Sequence, residues 1–484
     1  MSRTRSKQAP RPESPASIRD RGAVGAVLLT IRAAGAQVVA FVGTLVLAHL
    51  LSPTALGMVA FGTTVITIGN FFSDGGLGAA LIRRADHPTV DEFRALLALQ
   101  LSLALVIALA VAVAGLRAGT TGAVTAIMAC SLPLLALRAP HAIALERALE
   151  YRPIAAIEFV ESLVFYGWAI ATVKAGWDVW GVASAAIARS LAGSVLMTVA
   201  SPLKLIRPRL VRGTLRSMLG FGIGFQAVGL AALARSQGVN LVVVAIGGER
   251  LLGYWSVAYR LMQVPFWVFQ ALWRVSYPTM ARLRAHREDT RLTVERFARV
   301  TALAAGAMLA PLAVSAHFVV PALFGANWAP SAAPLPWASA GLVVSGPISV
   351  AAAGYLYSER DVRTPLVATI IGGAVWIALT AILLRPVGIA AVGISWMVAS
   401  WTEAVIFARA LWRTGVAVSR MILVPVAVAV ASALLAYAVQ TPLSSSIVPG
   451  IVSATVAIAA YLALSFAFNR ADLVATARRV RSLT

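Results

Sequence analysis

The sequence predicts an all-α polytopic membrane protein of about fourteen transmembrane helices, built as two pseudo-symmetric six-helix lobes followed by two C-terminal helices. Three observations predict it: the length and number of apolar runs, the alternation of charge between them, and an internal repeat. Of 484 residues, 59% are hydrophobic and 12% charged, with a mean hydropathy of +0.83; soluble domains carry about 25% charged residues. Apolar runs fall near 24–49, 55–80, 94–115, 121–141, 154–173, 179–201, 217–246, 253–278, 300–321, 331–357, 364–384, 388–408, 420–438 and 447–468. Each suits a bilayer core, which takes roughly 20 helical residues to cross.

In order along the chain, residues 1–23 are polar, basic and rich in Pro and Ser, and read as a disordered cytoplasmic tail. The apolar run after them is too long for a signal peptide. The first six runs, 24–201, form the N-lobe. A basic linker, 202–216, leads to the next six, 217–413, the C-lobe. The last two runs occupy 414–468, and 469–484 is a second basic tail. Pro202–Ser217 and Ala281–Val300 mix arginines with Leu, Ile, Val or Phe and are expected to lie as interfacial helices, with a solvated basic loop an equal alternative for the first, which Pro208 and Gly213 interrupt. The lone Cys130 sits in an apolar run and is expected to be a small buried hydrophobe.

The chain carries 41 Lys and Arg against 19 Asp and Glu, a net charge of +22. Most of those cations lie in the tails and even-numbered connections; the odd-numbered ones hold Arg117, Lys174, Arg250 and Arg385. This bias is the positive-inside pattern, so both termini are expected in the cytoplasm. The excess charge therefore serves topology and anionic lipid heads, and nucleic acid is not expected as a partner.

The repeat appears when Leu45–Gly57 is laid over Leu241–Gly253: each is a helix end, a short turn and a Leu-Gly opening the next helix. The second and eighth spans then correspond, and both carry polar stripes. In the eighth, Ser256, Arg260, Gln263, Trp267, Gln270 and Arg274 are spaced 4, 3, 4, 3 and 4 apart, one face of a helix turning about 100° per residue. In the second, Thr63, Thr67, Asn70 and Asp74 do the same. An arginine at bilayer centre costs roughly 2.5–3.5 kcal/mol on insertion scales, so such stripes face protein or a hydrated cavity. Six intervening helices make the lobes parallel repeats about an axis along the membrane normal.

The stretches LLSPTALGMVAFG, FFSDGGLGAALIRR, GYWSVAYRLMQVP, YPTMARL and LFGANWAPSAAPL, in this order from Leu50 to Leu335, resemble the polysaccharide transporter (Wzx-type flippase) branch of the multidrug/oligosaccharidyl-lipid/polysaccharide exporter superfamily. The resemblance implies a V-shaped transporter. It also implies movement of polyprenyl-pyrophosphate-linked oligosaccharide from the inner to the outer leaflet for exopolysaccharide, capsule or O-antigen assembly, next to polymerase and export machinery. In such flippases, cavity arginines hold the pyrophosphate, and the planar guanidinium fork suits that anion.

On this basis the expected substrate residues are Arg260, Gln263, Trp267, Gln270, Arg274, Arg32, Arg235 and Asn70, with Trp267 as a stacking surface for sugar rings. Arg189 is the weakest of the arginines. Arg274 and Arg32 lie near the cytoplasmic face, where snorkelling to lipid phosphate is an equal alternative. Arg235 lies opposite Gln226, Gln237 and Asn240 on its helix, so only one of those faces looks inward. Asp74 and Glu403 are the candidates for coupling to H⁺ or Na⁺. Glu158 and Glu161 read as partly exposed acids near a helix N-terminus after Pro153. Pro265 and Pro347 interrupt mid-helix hydrogen bonding. No enzyme constellation, metal site or cofactor loop is found: the five histidines are scattered. A membrane glycosyltransferase would need carboxylates in a sizeable outer loop, and the outer turns are short. A cation-coupled drug exporter of the same superfamily would favour acids and aromatics over arginines in its cavity.

Overall fold

The structure, a computed structural model, describes residues 35–481 except 84–85, 87, 204, 210–211, 286–289 and 441–446. Among the described residues the regular structure is all helical. In chain order the helices are α1 (Gly35–Leu50), α2 (Pro53–Asp74), α3 (Leu77–Arg83), α4 (Val90–Gly115), α5 (Gly119–Ala129), α6 (Ser131–Arg147), α7 (Tyr151–Thr172), α8 (Asp178–Ala200), α9 (Arg212–Ala285), α10 (Arg291–Phe324), α11 (Leu335–Ser358), α12 (Arg363–Val387), α13 (Ala390–Arg413), α14 (Val418–Gln440) and α15 (Ile447–Arg481). Eleven stretches are long and apolar enough to cross a membrane, and Gly35–Leu50 is a shorter apolar helix. In a bilayer core every backbone polar group must be satisfied within the chain, which is why such sequence folds as helices. The protein is a multi-pass membrane protein.

Two of these stretches, Tyr151–Ala200 and Gly229–Gln270, run to 50 and 42 residues, about twice the ~20 needed for one crossing. Each contains a glycine outside the helical region, Gly176 at φ 91° and Gly248 at φ 73°, ψ −179°, conformations closed to residues with a Cβ. Helix ends are otherwise set locally. Ser52 Oγ accepts the Ala55 N–H at 3.1 Å, Pro53 opens α2, and Gly75 in the left-handed region closes it. Thr89 and Glu92 form a capping box at the start of α4.

The lobe symmetry is visible bond by bond. Before α7, the N–H groups of Ala148, Leu149 and Glu150 donate to the carbonyls of Ala144, Glu146 and Leu145; before α12, those of Glu359, Arg360 and Asp361 donate to Tyr355, Tyr357 and Leu356. Leu149 and Arg360, at the same step of the two turns, both take left-handed φ values, 58° and 61°. The first lobe runs from α1 to α8 and the second from α9 to α13. One hydrophobic core joins them, including Leu47, Leu56, Val182, Val257, Leu309 and Trp396.

The lobes meet at the charge-poor ends of their helices. A Cβ on Gly57 would run into the Glu249 carbonyl, and one on Gly253 into the Pro53 carbonyl, a reciprocal crossing of α2 and α9 about the repeat axis. Around it, buried Trp328 donates its indole N–H to Ala48 O at 2.8 Å and Thr121 donates to Glu249 at 2.9 Å. Helices α14 and α15 lie outside the repeat and pack on α10, where Tyr461 fills the space over Gly306 and donates to Leu303 O at 2.9 Å.

Two local expectations change. Cys130 is exposed at the α5–α6 joint; it caps a helix end instead of filling a core. Neither basic stretch forms a separate interfacial helix among its described residues. Residues 205–209 have no regular structure, consistent with Pro208 there, and Arg291–Val300 is the first part of α10, continuous with the span.

Candidate functional site: the cavity between the lobes

A cavity of about 680 Å³ lies between the lobes, behind the Gly57–Gly253 crossing. Helix α2 contributes Thr63, Thr64 and Thr67 to its wall, and α9 contributes Gln237, Asn240, Ser256, Tyr259, Arg260 and Gln263. Asn240 donates to Thr64 Oγ at 3.1 Å, a polar bond across the lobes. Arg260 donates through Nη2 to the Tyr166 hydroxyl at 3.0 Å. Among the described residues no salt bridge pairs a carboxylate with it, so its partner at the cavity wall is the Tyr166 phenol.

The polar stripe of α9 thus enters the site in part. Ser256, Arg260 and Gln263 line the cavity, whereas Trp267 and Gln270 are absent from its wall; the aromatic rings there are Phe165, Tyr166, Trp255 and Tyr259. The side chains of Arg274 and Gln226 and all of Arg32 lie outside what the structure describes. The two faces near Arg235 are separated: Gln237 and Asn240 look into the cavity, and Arg235 turns into the second lobe, where Nη1 sits 2.9 Å from Glu403 Oε1. Glu403 therefore has a partner on another helix, and neither residue lines the central cavity.

A second cavity, about 660 Å³, lies within the first lobe. Asn70 and Asp74 line it, and Gln100 on α4 donates to Asp74 Oδ1 at 2.9 Å. Glu146, Glu158 and Glu161 also face it, with Arg138 and Arg189. Leu135, Arg138, Glu161 and Arg189 belong to both cavity walls, so the two spaces adjoin at this cluster. Glu161 is 1% exposed, not the partly exposed helix-start acid expected. It lies ten residues into α7 and is bonded by Arg138 Nη1, with Arg189 Nε 3.8 Å from its other oxygen. Arg138 is a site residue missed in the sequence; its signal was an unexplained cation inside the run 121–141. Tyr166 and Tyr259 were missed because an aromatic residue in an apolar span carries no mark of its orientation. Among the described residues no group of three or more His, Cys, Asp or Glu is placed to hold a metal ion.

Two helical lobes thus enclose a polar cavity among helices long and apolar enough to cross a membrane. The family model for "Polysaccharide biosynthesis protein" matches residues 46–333, and the chain belongs to that family. In fold it is similar to lipid II flippase MurJ in an inward closed conformation, with a TM-score of 0.75 at 13% identity over 93% of this chain and 100% of that one. It is also similar to an inward-facing multidrug resistance MATE family transporter of the MOP superfamily (TM-score 0.58, 15% identity, 78% and 94% covered) and to a MOP superfamily transporter from Pyrococcus furiosus (0.52, 14%, 81% and 95%). Among curated proteins none matches the sequence significantly. The fold is thus that of the exporter superfamily resembled in the sequence.

Proposed function

We propose that the chain is a flippase that carries a polyprenyl-pyrophosphate-linked oligosaccharide from the cytoplasmic to the outer leaflet of a bacterial inner membrane, both termini being cytoplasmic. The observation that carries this reading is Arg260: a guanidinium on the wall of a cavity between membrane-spanning helices, bonded to the Tyr166 hydroxyl and with no carboxylate partner among the described residues. Such a group favours an anion, and its fork matches two phosphate oxygens. The family match to polysaccharide biosynthesis supports the sugar part of the cargo. Gln263, Asn240 and the threonines of α2 would bind sugar hydroxyls, with Tyr259 as a ring against which a sugar can lie. Alternating access would open the Gly57–Gly253 crossing while the lobes rock about the cavity.

The drug-exporter reading has one observation in its favour, the carboxylates Asp74, Glu146, Glu158 and Glu161 along the first-lobe cavity. The central cavity argues against it, since its wall holds Arg138, Arg189 and Arg260 against Glu161 alone. The deciding measurement is mass spectrometry of lipid-linked intermediates in a deletion strain. They should accumulate, clear when the wild-type chain is restored, and stay when Arg260→Ala is restored at equal abundance. No accumulation, or clearance by the variant, rejects the reading.

A further inference from the structure

The Arg138–Glu161–Arg189 cluster has no part in the function proposed above, yet it sits where the two cavities adjoin. All three residues are far from helix ends: Arg138 lies nine residues before the end of α6, and Arg189 eleven residues before the end of α8. The carboxylate is divided between its partners, one oxygen to Arg138 and the other toward Arg189. Its own side chain is 2% exposed, while Arg138 is 21% and Arg189 49% exposed. At 3.8 Å the Arg189 contact is loose, and this half-exposed side chain lines both cavities. Two cations thus share one buried anion beside space for another.

Glu161 is also held in a particular way. A Cβ on Gly193 of α8 would run into its Oε1, so the carboxylate occupies a niche that exists only because residue 193 has no side chain. The charged groups facing the cluster from neighbouring elements are Glu158, one turn earlier on α7, Glu146 on α6 and Asp74 on α2, all along the first-lobe cavity. On the central side the charged residue is Arg260. The acids lie on one side and the remaining arginine on the other.

We propose that Arg138 and Arg189 form a second binding site for a phosphate-bearing anion, and that Glu161 is its resting occupant, displaced when that anion arrives. The inference rests on the flippase reading and extends it: Arg260 and the Arg138–Arg189 pair become two successive holding points for one head group. Two guanidiniums on a cavity wall far from the helix ends keep a counter-ion, because removing the partner of a charge held away from bulk water is strongly unfavourable. An internal carboxylate meets that requirement between cargoes. The exchange is a substitution of one oxyanion for another, with no bond made or broken.

The test uses the full chain in nanodiscs, with inorganic pyrophosphate and farnesyl pyrophosphate as probes. Glu161→Gln removes the competing charge, and Gly193→Ala pushes the carboxylate out of its niche while leaving every charged residue in place. Each should bind inorganic pyrophosphate about ten-fold tighter than wild type, the scale of one charge-assisted hydrogen bond regained. Adding Arg138→Gln or Arg189→Gln should erase the gain. A gain shared by farnesyl pyrophosphate assigns the site to lipid-borne diphosphate, and a gain confined to the inorganic probe assigns it to free phosphate. Unchanged or weaker binding in both single variants overturns the proposal, as does a gain that survives loss of both arginines. A merely structural role for Glu161 predicts a lower melting temperature with no gain in binding. Accumulation of lipid-linked intermediates, which reads export and not binding, judges the flippase reading independently.

Discussion

Each lobe buries one glutamate against a glycine of the facing helix, and the two do so with the helices exchanged. In the first lobe Glu161 of α7 lies over Gly193 of α8; in the second, Glu403 of α13 lies over Gly372 of α12. Since α7 corresponds to α12 and α8 to α13, the repeat has kept the niche and swapped which helix supplies the acid. The partners differ as well. Glu403 has the single guanidinium of Arg235 at 2.9 Å and neither lines the central cavity, whereas Glu161 shares two arginines and lines both cavities. Similar chemistry thus takes two forms: a closed ion pair that holds helices together, and an open one beside the cavity proposed above as the cargo path.

The largest expected effect lies on the path. Arg260→Ala should abolish export of polysaccharide, a drop beyond about 100-fold, while insertion and abundance stay normal, because the Tyr166 hydroxyl loses only one accepted hydrogen bond. Arg260→Lys should keep partial activity, since a point charge lacks the fork. Wild-type export by the alanine variant would remove Arg260 from the site. The crossing of the lobes comes next. Gly57→Leu places a branched side chain on the Glu249 carbonyl, so the charge-poor end cannot close and transport should fall at least ten-fold. Crosslinking between cysteines placed at 48 and 328, which bracket the Trp328–Ala48 bond, should fall in parallel; undiminished crosslinking would show that the crossing is not the gate.

In the second lobe the loss should appear in stability. Glu403 is 8% exposed, and Arg235→Ala would strand it, at about 3 kcal/mol by analogy with broken buried pairs. The double replacement Arg235→Met with Glu403→Leu should recover most of that loss and retain export, read as melting temperature and polysaccharide output. If the double variant is stable but exports nothing, the pair belongs to the transport cycle, and the contrast between the lobes fails.

How much of this was legible in the sequence follows from range. The helical spans were legible because hydropathy is a local average, and the Ser256–Arg260–Gln263 face because a helical period is a local property. The pairs were not: Arg235 and Glu403 meet across 168 positions, and Arg138 and Glu161 across 23, distances at which only packing decides. The stripe is also longer than the described wall. Its period continues through Trp267 and Gln270, whereas Ser256, Arg260 and Gln263 are its members on the described wall of the central cavity, and a period cannot report where a neighbouring lobe stops. Cysteine scanning in a Cys130→Ser background sharpens this point. Positions 256 and 263 should react with a water-soluble thiol reagent several-fold faster than the buried positions Leu261 and Met262. Uniform labelling would mean that the face is packed and dry. A reporter fused after Ser444 tests the count of crossings: cytoplasmic activity there would overturn a fourteen-span topology with both termini inside.

The smallest effect separates the two turns whose backbones match. Before α12, Asp361 accepts the Thr364 N–H at 3.1 Å and the Thr364 hydroxyl at 2.6 Å; before α7, Glu150 makes no cap bond, and the residue three further on is Pro153, which has no N–H to give. The Thr364 hydroxyl first, then the backbone N–H groups of Thr364 and Arg363 and the Arg363 charge, hold the Asp361 carboxyl below its ordinary range. A carboxyl lowered in the folded state adds stability above its unfolded pKa, and that share is lost as pH falls through the folded one. Asp361→Ala should therefore cost about 0.5–1 kcal/mol near neutral pH, the worth of an exposed cap, seen as a small drop in melting temperature that shrinks below roughly pH 4. Glu150→Ala should cost nothing measurable at any pH. Equal losses at the two turns would mean that the shared backbone, with Leu149 and Arg360 in the same left-handed step, sets the stability of both and that the Asp361 cap contributes nothing of its own.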